Sequence, residues 1–466
     1  MKKILLLFFI VLCLLTFSPQ LCKSQPEGKK ANLEWFSNAK FGLFIHWGLY
    51  SETAGMWKGK PAKGGAHFML YHQIPLKEYA LIANDFNPVD FNAEEWVKAA
   101  KYAGMKYLVY TTKHHDGFAM YDSQCSDFNI VKRTPYKRDP LKELAQACKK
   151  EGIKLGLYYS LGRDWEDPDV PTNWPEKAGR SNIWDYPDED GKDLNAYVER
   201  KVKPQLRELL TNYGEITMMW FDTPELITRK QSQEIKELIN SLQPNCLINS
   251  RIGNGLGDYS IVEQRLTDKI NLKPWEACIT MSDSWDYNVF DKGSKSPEML
   301  IRHLADIVSK GGNLLLNIGP TGKGTFPEFT SSGIEAYHDW LEKNGEAIYN
   351  TRPWRTFGEN WNNTVSTEKV NTEFNDAKFD GTPQSNTPDF RFTCKDKNLY
   401  VIVRSVPENK YTISSIISSD KIQQITLLEN GEKVKWKLTD KGLEITIPKG
   451  NNSQIPVYTL KVELNL

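Results

Sequence analysis

Side chains able to move protons or bind hydroxyl groups follow several short apolar runs in this sequence. In a sheet of parallel strands the ends of such runs meet at one edge, so these side chains would converge. Packing alone gives no reason for polar groups to collect at strand ends, and the pattern therefore indicates a binding or catalytic site. The residues concerned are His46, His114, His115, Tyr158, Trp220, Asp222, Arg251 and Glu263.

Two carboxylic acids among neutral hydrogen-bonding groups favour glycoside hydrolysis. That reaction needs one carboxylate near the anomeric carbon and one protonated carboxyl group that releases the leaving oxygen. Asp222 closes an apolar run, so its backbone should be rigid and its side chain can reach a pocket. An acid at this place could instead cap the turn that follows. The 14 Trp residues are typical of a protein that stacks on sugar rings, although Trp fills cores equally well.

The histidines are chemically able to bind a metal ion together with Asp222. His114 and His115 are, however, neighbours on what should be a strand, which would turn their side chains to opposite sides. No helical pair of metal-binding histidines of the H-E-x-x-H type occurs in the sequence. We therefore expect neutral imidazoles that bind hydroxyl groups, and neither a metal ion nor another cofactor.

Eight short β-rich runs, several of them separated by helical stretches, lie between residues 40 and 320. Strands alternating with helices predict parallel βαβ units, an α/β fold with a (β/α)8-type barrel. The gaps after residues 251 and 263 are too short for crossover helices, so the second half of the barrel should be irregular. The runs are 41–46, 106–112, 153–160, 216–222, 246–251, 260–263, 277–282 and 313–319.

The pattern of apolar and polar residues changes near residue 350. Apolar and polar residues alternate from there to the C-terminus, and turn signals such as Asn430-Gly431 separate the runs. This pattern predicts a C-terminal antiparallel β-sandwich domain. The expected domains are the barrel at 25–350 and the sandwich at 351–466.

The N-terminus has the pattern of a secretory signal peptide. A basic start precedes an apolar run at 4–17 that is too short to cross a bilayer, and small residues at Cys22 and Ser24 suit cleavage before Gln25. We therefore expect residues 1–24 to be removed and the protein to be secreted or periplasmic, without a membrane span. The signal is typical of a bacterial envelope or secreted enzyme.

Charge and cysteine content exclude several other classes of protein. Lys plus Arg and Asp plus Glu each number 59, so the formal net charge is zero and gives no attraction to nucleic acid or an anionic membrane. Five cysteines remain after residue 24 and none forms a C-x-x-C pair. This predicts isolated buried thiols and argues against a disulfide framework or a zinc site.

Five motifs resemble the family 29 α-L-fucosidases and occur in the order expected for that family. They are WFSNAKFGLFIHWGLYS at 35–51, KHHDGF at 113–118, GLYYS at 156–160, MWFD at 219–222 and GNLLLNIGP at 312–320. The resemblance extends from about Leu33 to Arg355, and the C-terminal part looks like the family's second domain. It implies a retaining, metal-free exo-hydrolase that removes terminal α-L-fucose from fucosylated oligosaccharides or glycoconjugates through a covalent fucosyl-enzyme.

The resemblance also implies roles for individual residues. Asp222 matches the family nucleophile, and Trp57 lies in the sugar-binding loop after the first strand. Imidazoles and Tyr can bind ring hydroxyls, while Trp220 can pack on the C5-methyl group of fucose. The residues that match the fucose pocket are His46, His114, His115, Tyr158, Trp220 and Arg251.

The chain departs from the family pattern in two places. Many relatives carry Glu-Trp where this chain has Met56-Trp57, so one carboxylate contact to the sugar is in doubt. Many relatives also read Ser-Trp-Gly-Tyr where this chain has an acid, Asp286. That acid could contact the leaving group or could lie in a solvated loop.

Two glutamates compete for the role of general acid/base. Glu263 ends a strand-like run directly after the Arg251 strand, which would bring it to the same rim as Asp222; burial and the nearby charge would raise its pKa. Glu276 resembles a Trp-Glu pair of relatives, but it precedes its strand and should lie nearer the strand's N-terminal end. We favour Glu263 and keep Glu276 as the alternative.

Two other functions remain open at the level of the sequence. A non-catalytic carbohydrate-binding barrel would be favoured by Met56 and Asp286, and would release no nitrophenol from an α-L-fucoside. A glycosidase for a related sugar such as α-L-galactose would turn over galactosides and fail on fucosides, because the added hydroxyl group meets Trp220 where the methyl group packs.

Overall fold

A curled sheet of eight parallel strands forms the larger part of the protein. The computed structural model describes residues 27–171, 182–291, 293–359, 389–404, 410–447 and 456–465. The expected signal peptide at 1–24 lies outside the described residues. The strands are β1 (Phe41–Ile45), β2 (Tyr107–Lys113), β3 (Lys154–Ser160), β4 (Met218–Asp222), β5 (Leu247–Ile248), β6 (Ser260–Glu263), β7 (Trp275–Thr280) and β8 (Asn313–Ile318).

The strands pair in an order that closes the sheet on itself. That order is β5-β4-β3-β2-β1-β8-β7-β6, and every pair is parallel. An isolated parallel bridge between Asn249 and Tyr259 connects the two ends of the sheet. The predicted α/β barrel is therefore confirmed.

Seven longer helices accompany these strands in the described part of the chain. They are α1 (Glu27–Ala39), α2 (Ala93–Tyr102), α3 (Pro140–Glu151), α4 (Lys203–Asn212), α5 (Arg229–Leu242), α6 (Pro297–Ser309) and α7 (Thr330–Asn344). Residues 249–274, all of which the structure describes, contain strand β6 and, as their only helical element, a 3-10 turn at Ser250–Ile252. The barrel is thus irregular after β5 and β6, where the short gaps exclude crossover helices.

Shorter helical turns fill the connections between these elements. They cover Leu49–Thr53, Gly65–His67, Phe68–Tyr71, Leu76–Tyr79, Ala80–Asn84, Ile130–Arg133, Leu194–Tyr197, Val198–Val202, Gly345–Ala347 and Ser418–Asp420.

Local capping chemistry sets the ends of the longer helices. Helix α3 begins after Asp139, whose side chain accepts a hydrogen bond from the Lys142 N–H, and Pro140 occupies the first turn. It ends at Gly152, whose left-handed backbone suits glycine. Helix α5 begins with a capping box between Thr228 and Gln231. These helices therefore begin and end where the local sequence satisfies their free backbone groups.

The C-terminal part consists of two antiparallel sheets. One has the order β9-β10-β11-β16-β13 and the other the order β12-β15-β14, and their inner faces share one apolar core that includes Phe390, Val401, Leu443 and Leu460. The strands are β9 (Arg352–Glu359), β10 (Asp389–Lys395), β11 (Asn398–Arg404), β12 (Lys410–Ile413), β13 (Ile422–Leu427), β14 (Lys435–Thr439), β15 (Gly442–Thr446) and β16 (Val457–Leu464). The predicted antiparallel β domain is confirmed.

Buried ion pairs connect this β domain to helix α6 of the barrel. Asp306 accepts hydrogen bonds from Lys310 at 2.6 Å and from Arg391 at 2.7 Å. Arg302 pairs with Asp389 at 3.0 Å. A buried carboxylate needs such partners, so the pairing specifies how the two parts meet.

The cysteines are less uniformly buried than the sequence predicted. Cys148, Cys246 and Cys278 are buried, and Cys394 is partly buried. Cys125 is exposed and its thiol donates to a Glu208 carboxylate oxygen at 2.9 Å, so the expectation of a buried thiol is wrong there. Cys125 lies in the loop after β2, where its sequence neighbours Gln124 and Ser126 are polar.

Candidate active site

A pocket of about 450 Å³ opens at the carboxyl ends of the barrel strands. All the predicted site residues except Trp57 and Glu276 line it. The predicted residues in this lining therefore come from the ends of six different strands. The complete lining is Phe44, His46, Gly64, Gly65, Ala66, His67, His114, His115, Tyr158, Arg163, Trp220, Asp222, Thr223, Pro224, Glu225, Arg251, Glu263, Cys278, Trp285 and Asp286.

Asp222 is the last residue of β4 and is held by three hydrogen-bond donors. Arg251 Nη1 lies 2.6 Å from its Oδ1, and the backbone N–H of Thr223 donates to the same oxygen at 2.8 Å. The Tyr158 hydroxyl donates to Oδ2 at 2.9 Å. The carboxylate is thereby fixed in one orientation at the wall of the pocket.

A close approach of two loops supports this arrangement. Thr223 adopts a left-handed backbone with φ of 48°, and its carbonyl oxygen accepts a hydrogen bond from the Gly162 N–H at 2.8 Å. A Cβ atom at residue 162 would lie only 2.6 Å from that oxygen. Glycine is therefore required at this position, where the loop after β3 crosses the end of β4.

The charges around Asp222 keep it ionised. Burial by itself would raise the pKa of Asp222, but the guanidinium groups of Arg251 and Arg163 and the Tyr158 hydroxyl outweigh burial and hold that pKa below its usual value. The carboxylate is therefore negatively charged at neutral pH.

Arg251 contacts both acids of the pocket. Its Nη1 binds Asp222, and its Nη2 binds Glu263 Oε2. One guanidinium thus bridges the two carboxylates and places them side by side. The Glu263 side chain is 40% exposed, so the expected burial of this acid is wrong for the free protein. It ends β6 at the open side of the barrel, where no crossover helix covers it.

The histidines of the pocket are neutral hydrogen-bonding groups. His46 Nδ1 lies 2.6 Å from Asn317 Oδ1 and His115 Nδ1 lies 2.6 Å from Ser160 Oγ, so each ring nitrogen Nδ1 carries the proton and Nε2 is an acceptor. Burial lowers the pKa of His46 to about 4. Burial also lowers the pKa of His114 and of His115 well below the usual value.

His114 and His115 do not point to opposite sides, as a strand would require. Strand β2 ends at Lys113, and a turn follows in which the Gly117 N–H donates to the His114 carbonyl oxygen at 3.1 Å. The two-residue alternation of a strand therefore no longer applies. Both rings line the pocket, with their centroids 4.2 Å apart. The expectation of opposite orientations is wrong.

Trp220 forms a wall of the pocket together with other aromatic rings. Its indole stacks on Tyr158 with centroids 5.5 Å apart and contacts Phe44 at 4.8 Å. The Arg251 guanidinium lies 5.2 Å from the Trp220 ring centroid. This arrangement presents an apolar surface next to the charged Asp222.

Glu276 lies inside the barrel and outside the pocket lining. It is the second residue of β7, a strand that starts two residues earlier than the sequence predicted, and it is fully buried. Tyr107 Oη donates to its Oε1 at 2.6 Å, and Trp220 Nε1 donates to its Oε2 at 2.9 Å. Burial raises the pKa of Glu276 to about 7, against the opposing effect of these two hydrogen bonds.

Trp57 also lies outside the lining. It belongs to a two-residue hairpin, Met56–Trp57 with Lys60–Pro61, and its ring packs against Phe68. The loop after β1 reaches the pocket through residues 64–67 instead. Asp286 fixes this segment, since its Oδ1 accepts from the Ala66 N–H at 2.9 Å.

Sequence reasoning missed His67, Arg163 and Glu225 among the polar residues of the lining. His67 lies in the glycine-rich segment after β1, with its ring centroid 5.0 Å from that of His115. Arg163 and Glu225 form an ion pair between the loops that follow β3 and β4. None of the three ends an apolar run, so the strand-end pattern does not select them.

The described residues contain neither a cluster suited to a metal ion nor a helix that could span a membrane. Within those residues no group of three or more His, Cys, Asp or Glu side chains is arranged to hold a metal ion. In the same part of the chain, no helix has both the length and the apolar character needed to cross a bilayer.

Two family models match this chain. The model described as Alpha-L-fucosidase matches residues 18–346, and the model described as Alpha-L-fucosidase C-terminal domain matches residues 383–463. The tissue α-L-fucosidase of Homo sapiens is 29% identical over 456 residues, which cover 92% of this chain and 88% of that protein. The α-L-fucosidase of Dictyostelium discoideum is 27% identical over 498 residues, with 99% and 96% covered.

Solved structures give the same result. α-L-Fucosidase isoenzyme 1 from Paenibacillus thiaminolyticus superimposes with a TM-score of 0.79 at 30% identity, covering 94% of this chain and 100% of that chain. α-L-Fucosidase AlfC from Lactobacillus casei, in complex with its α-L-fucose product, has a TM-score of 0.64 at 41% identity, with 68% and 99% covered. Another AlfC structure, 40% identical with a TM-score of 0.64, contains Fucα(1,6)GlcNAc and covers 67% of this chain and 99% of that one.

The neutral histidines predict how stability depends on pH. In the unfolded chain an imidazole binds a proton near pH 6.5, whereas burial keeps His46, His114 and His115 neutral in the folded protein at that pH. The unfolded state then binds more protons, so the free energy of unfolding falls by about 1 kcal/mol per histidine for each pH unit below about 6.5. Urea unfolding at pH 7, 6 and 5 measures this slope.

A pair of variants isolates the contribution of one buried ring. His114→Gln should reduce the pH dependence of the free energy of unfolding by the contribution of one histidine. His72→Gln, at an exposed position, should leave that pH dependence unchanged. An unchanged slope in His114→Gln would contradict the neutral state of that ring.

Proposed function

Since this chain belongs to the α-L-fucosidase family, glycoside hydrolase family 29, and is an α-L-fucosidase, we propose that it is a retaining exo-enzyme. In this proposal Asp222 is the nucleophile and Glu263 is the general acid/base. The observation that carries the proposal is the Arg251 guanidinium, which binds both carboxylates at the wall of one pocket. Retention needs the two carboxyl groups close together, about 5–5.5 Å apart, and a single bridging guanidinium is compatible with that separation.

Asp222 has the properties that a nucleophile requires. It is charged, it lies partly buried beside an apolar ring, and its orientation is fixed by Arg251, Thr223 and Tyr158. Oδ1 accepts two hydrogen bonds and Oδ2 only one, so Oδ2 is the oxygen with a free lone pair for the anomeric carbon. Attack by Oδ2 gives the covalent fucosyl-enzyme while the bond to the leaving oxygen breaks.

Glu263 takes the complementary role of general acid and then general base. In the free protein it is partly exposed and paired with Arg251. As the acid of the first step, it gives its proton to the leaving oxygen. Once Asp222 has become an ester, Glu263 is the remaining anion and can take a proton from the attacking water.

With Asp222 as nucleophile and Glu263 as acid/base, the net charge next to Arg251 stays constant. Before the first step the guanidinium faces one anion, Asp222, and after that step it faces one anion, Glu263. The positive charge is balanced throughout, so neither step creates an uncompensated charge in the pocket.

The rest of the pocket fits a 6-deoxy sugar. The Nε2 atoms of His46 and His115 can accept hydrogen bonds from ring hydroxyls, and Trp220 with Phe44 offers an apolar surface to the C5-methyl group. We propose terminal α-L-fucose on an oligosaccharide or glycoconjugate as the substrate. The Fucα(1,6)GlcNAc found in AlfC is one example of such a glycan.

The stereochemical course is the first test of this mechanism. We expect α-L-fucose as the first product from an α-L-fucoside, because two successive inversions at the anomeric carbon give net retention. Proton NMR recorded in the first minutes separates the two anomers before they interconvert. Asp222→Ala should lose more than about 10³-fold in kcat. If β-fucose formed first, Asp222 would not be the nucleophile.

Azide rescue tests the acid/base residue. In Glu263→Ala the fucosyl-enzyme still forms from an aryl fucoside with a good leaving group, and azide then attacks it without needing a base. The expected result is restored turnover with α-fucosyl azide as the product. Glu225→Ala removes another carboxylate of the lining and should give no fucosyl azide. Normal turnover of poor leaving groups by Glu263→Ala would exclude its role.

We also propose that the enzyme is exported, as the basic and apolar N-terminal residues suggest. Expression of the full chain in a bacterial host should yield a protein that begins at Gln25 in the periplasm or medium. N-terminal sequencing checks the cleavage site. Retention of Met1 in a cytosolic protein would contradict this localisation.

A further inference from the structure

We propose that Glu276 is a positioning residue that anchors Trp220, and through it the apolar wall of the fucose pocket. This inference rests on the proposed function, because it assigns Trp220 a place against the sugar. It gives a different role to the residue that the sequence left as the alternative acid.

The hydrogen bonds of Glu276 all come from inside the barrel. Both carboxylate oxygens are occupied, Oε1 by the Tyr107 hydroxyl at 2.6 Å and Oε2 by the Trp220 indole N–H at 2.9 Å. Asn313 Nδ2 approaches the Tyr107 oxygen at 3.5 Å, which leaves the tyrosine proton for Glu276. The Tyr107 hydroxyl and the Trp220 indole N–H therefore both point at this carboxylate, whose side chain has no exposed surface.

An indole N–H can only donate, so its partner decides where the ring is held. Asn313, Tyr107 and Glu276 form a polar layer within the barrel, and Trp220 is the member of this network that also lines the pocket. An apolar residue at position 276 would leave the indole N–H and the Tyr107 hydroxyl without their acceptor in a buried place. Trp220 would then be free to rotate toward another acceptor.

Movement of Trp220 would be transmitted to the reacting groups. Its ring stacks on Tyr158, whose hydroxyl binds Asp222, and it lies under the Arg251 guanidinium, which binds Asp222 as well. The ring therefore supports two of the donors that orient the nucleophile. Loss of Glu276 should lower activity although Glu276 touches neither the sugar nor the leaving group.

The decisive comparison is between Glu276→Gln and Glu276→Leu. In the Gln variant the amide oxygen can still accept from the Trp220 N–H, which is the contact that holds the wall, while the amide NH2 can donate to the Tyr107 oxygen. We expect its kcat/KM to stay within about threefold of the wild type, even on aryl fucosides with poor leaving groups. Leu has a similar size but no hydrogen-bond acceptor. We expect its kcat/KM to fall about 10²-fold, because Trp220 is then displaced from its place in the pocket wall.

The leaving-group dependence separates positioning from proton transfer. Because the wall acts on both steps, Glu276→Leu should lose activity equally on good and poor leaving groups, and azide should give no fucosyl azide. If Glu276 were the acid/base, both variants would fail selectively on poor leaving groups and azide would restore turnover on good ones. That result overturns the positioning role.

A double-mutant cycle tests whether Glu276 acts through Trp220. In Trp220→Phe the indole N–H is absent, so the additional change Glu276→Leu should cost less than about threefold. Equal losses in the two backgrounds would overturn the proposal, as would near-normal activity of Glu276→Leu alone. Asp389→Asn, which breaks a buried ion pair to the β domain, controls for general destabilisation and should change the melting temperature without changing kcat.

A failure of this proposal can be distinguished from a failure of the mechanism proposed for Asp222 and Glu263. A failure of that mechanism would be seen in the product anomer and in the Asp222 and Glu263 variants, whereas the Glu276 results are ratios to the wild type. If Glu276→Leu does not fold, the Gln variant still decides: retained turnover on poor leaving groups supports the positioning role and its selective loss overturns that role.

Discussion

The Arg251 guanidinium, bound to two carboxylates in a pocket with aromatic walls, is the interaction on which the site depends. Removing a carboxylate from water destabilises the folded protein unless a cation and hydrogen-bond donors compensate for its charge. Arg251 supplies that charge to Asp222 and reaches Glu263 with its other nitrogen. It can do so because the chain turns back directly after β5, without a crossover helix, and brings β6 alongside. The irregular half of the barrel is thus the half that assembles the two acids.

Away from this charged centre the pocket contains neutral hydrogen-bonding groups. Burial keeps His46, His114 and His115 uncharged, and the fixed contacts of their Nδ1 atoms to Asn317 and Ser160 orient two of the three rings. Neutral acceptors suit the hydroxyl groups of a sugar, and they add no charge that would compete with Asp222 for Arg251. The aromatic walls that lower the polarity of the pocket also strengthen the electrostatic interactions at its centre.

The layer of the barrel beneath the pocket is polar where a hydrocarbon core would be expected. Glu276, Tyr107 and Asn313 form a hydrogen-bonded group that is connected to the pocket through the Trp220 indole. A fully satisfied buried network holds its members more rigidly than apolar packing does. In the proposed mode of binding, the position of the Trp220 wall therefore depends on residues outside the pocket lining.

The sequence by itself determined the strands, the missing helices and the residues at the strand ends. These features depend on runs of a few neighbouring residues, and a side chain at the carboxyl end of a parallel strand has little choice of direction. Asp222, Arg251, Tyr158 and His46 could be predicted for this reason.

The tertiary structure alone decided the features that depend on contacts between distant segments. Strand β2 ends at Lys113, so both following histidines enter the pocket; the contact of Asp286 with Ala66 brings residues 64–67 to the pocket in place of Trp57. The exposure of Glu263 and the burial of Glu276 were likewise decided by the segments that pack around each side chain. Burial and charge pairing depend on partners that lie far apart in the chain. The spacing of residues along the sequence does not encode those partners.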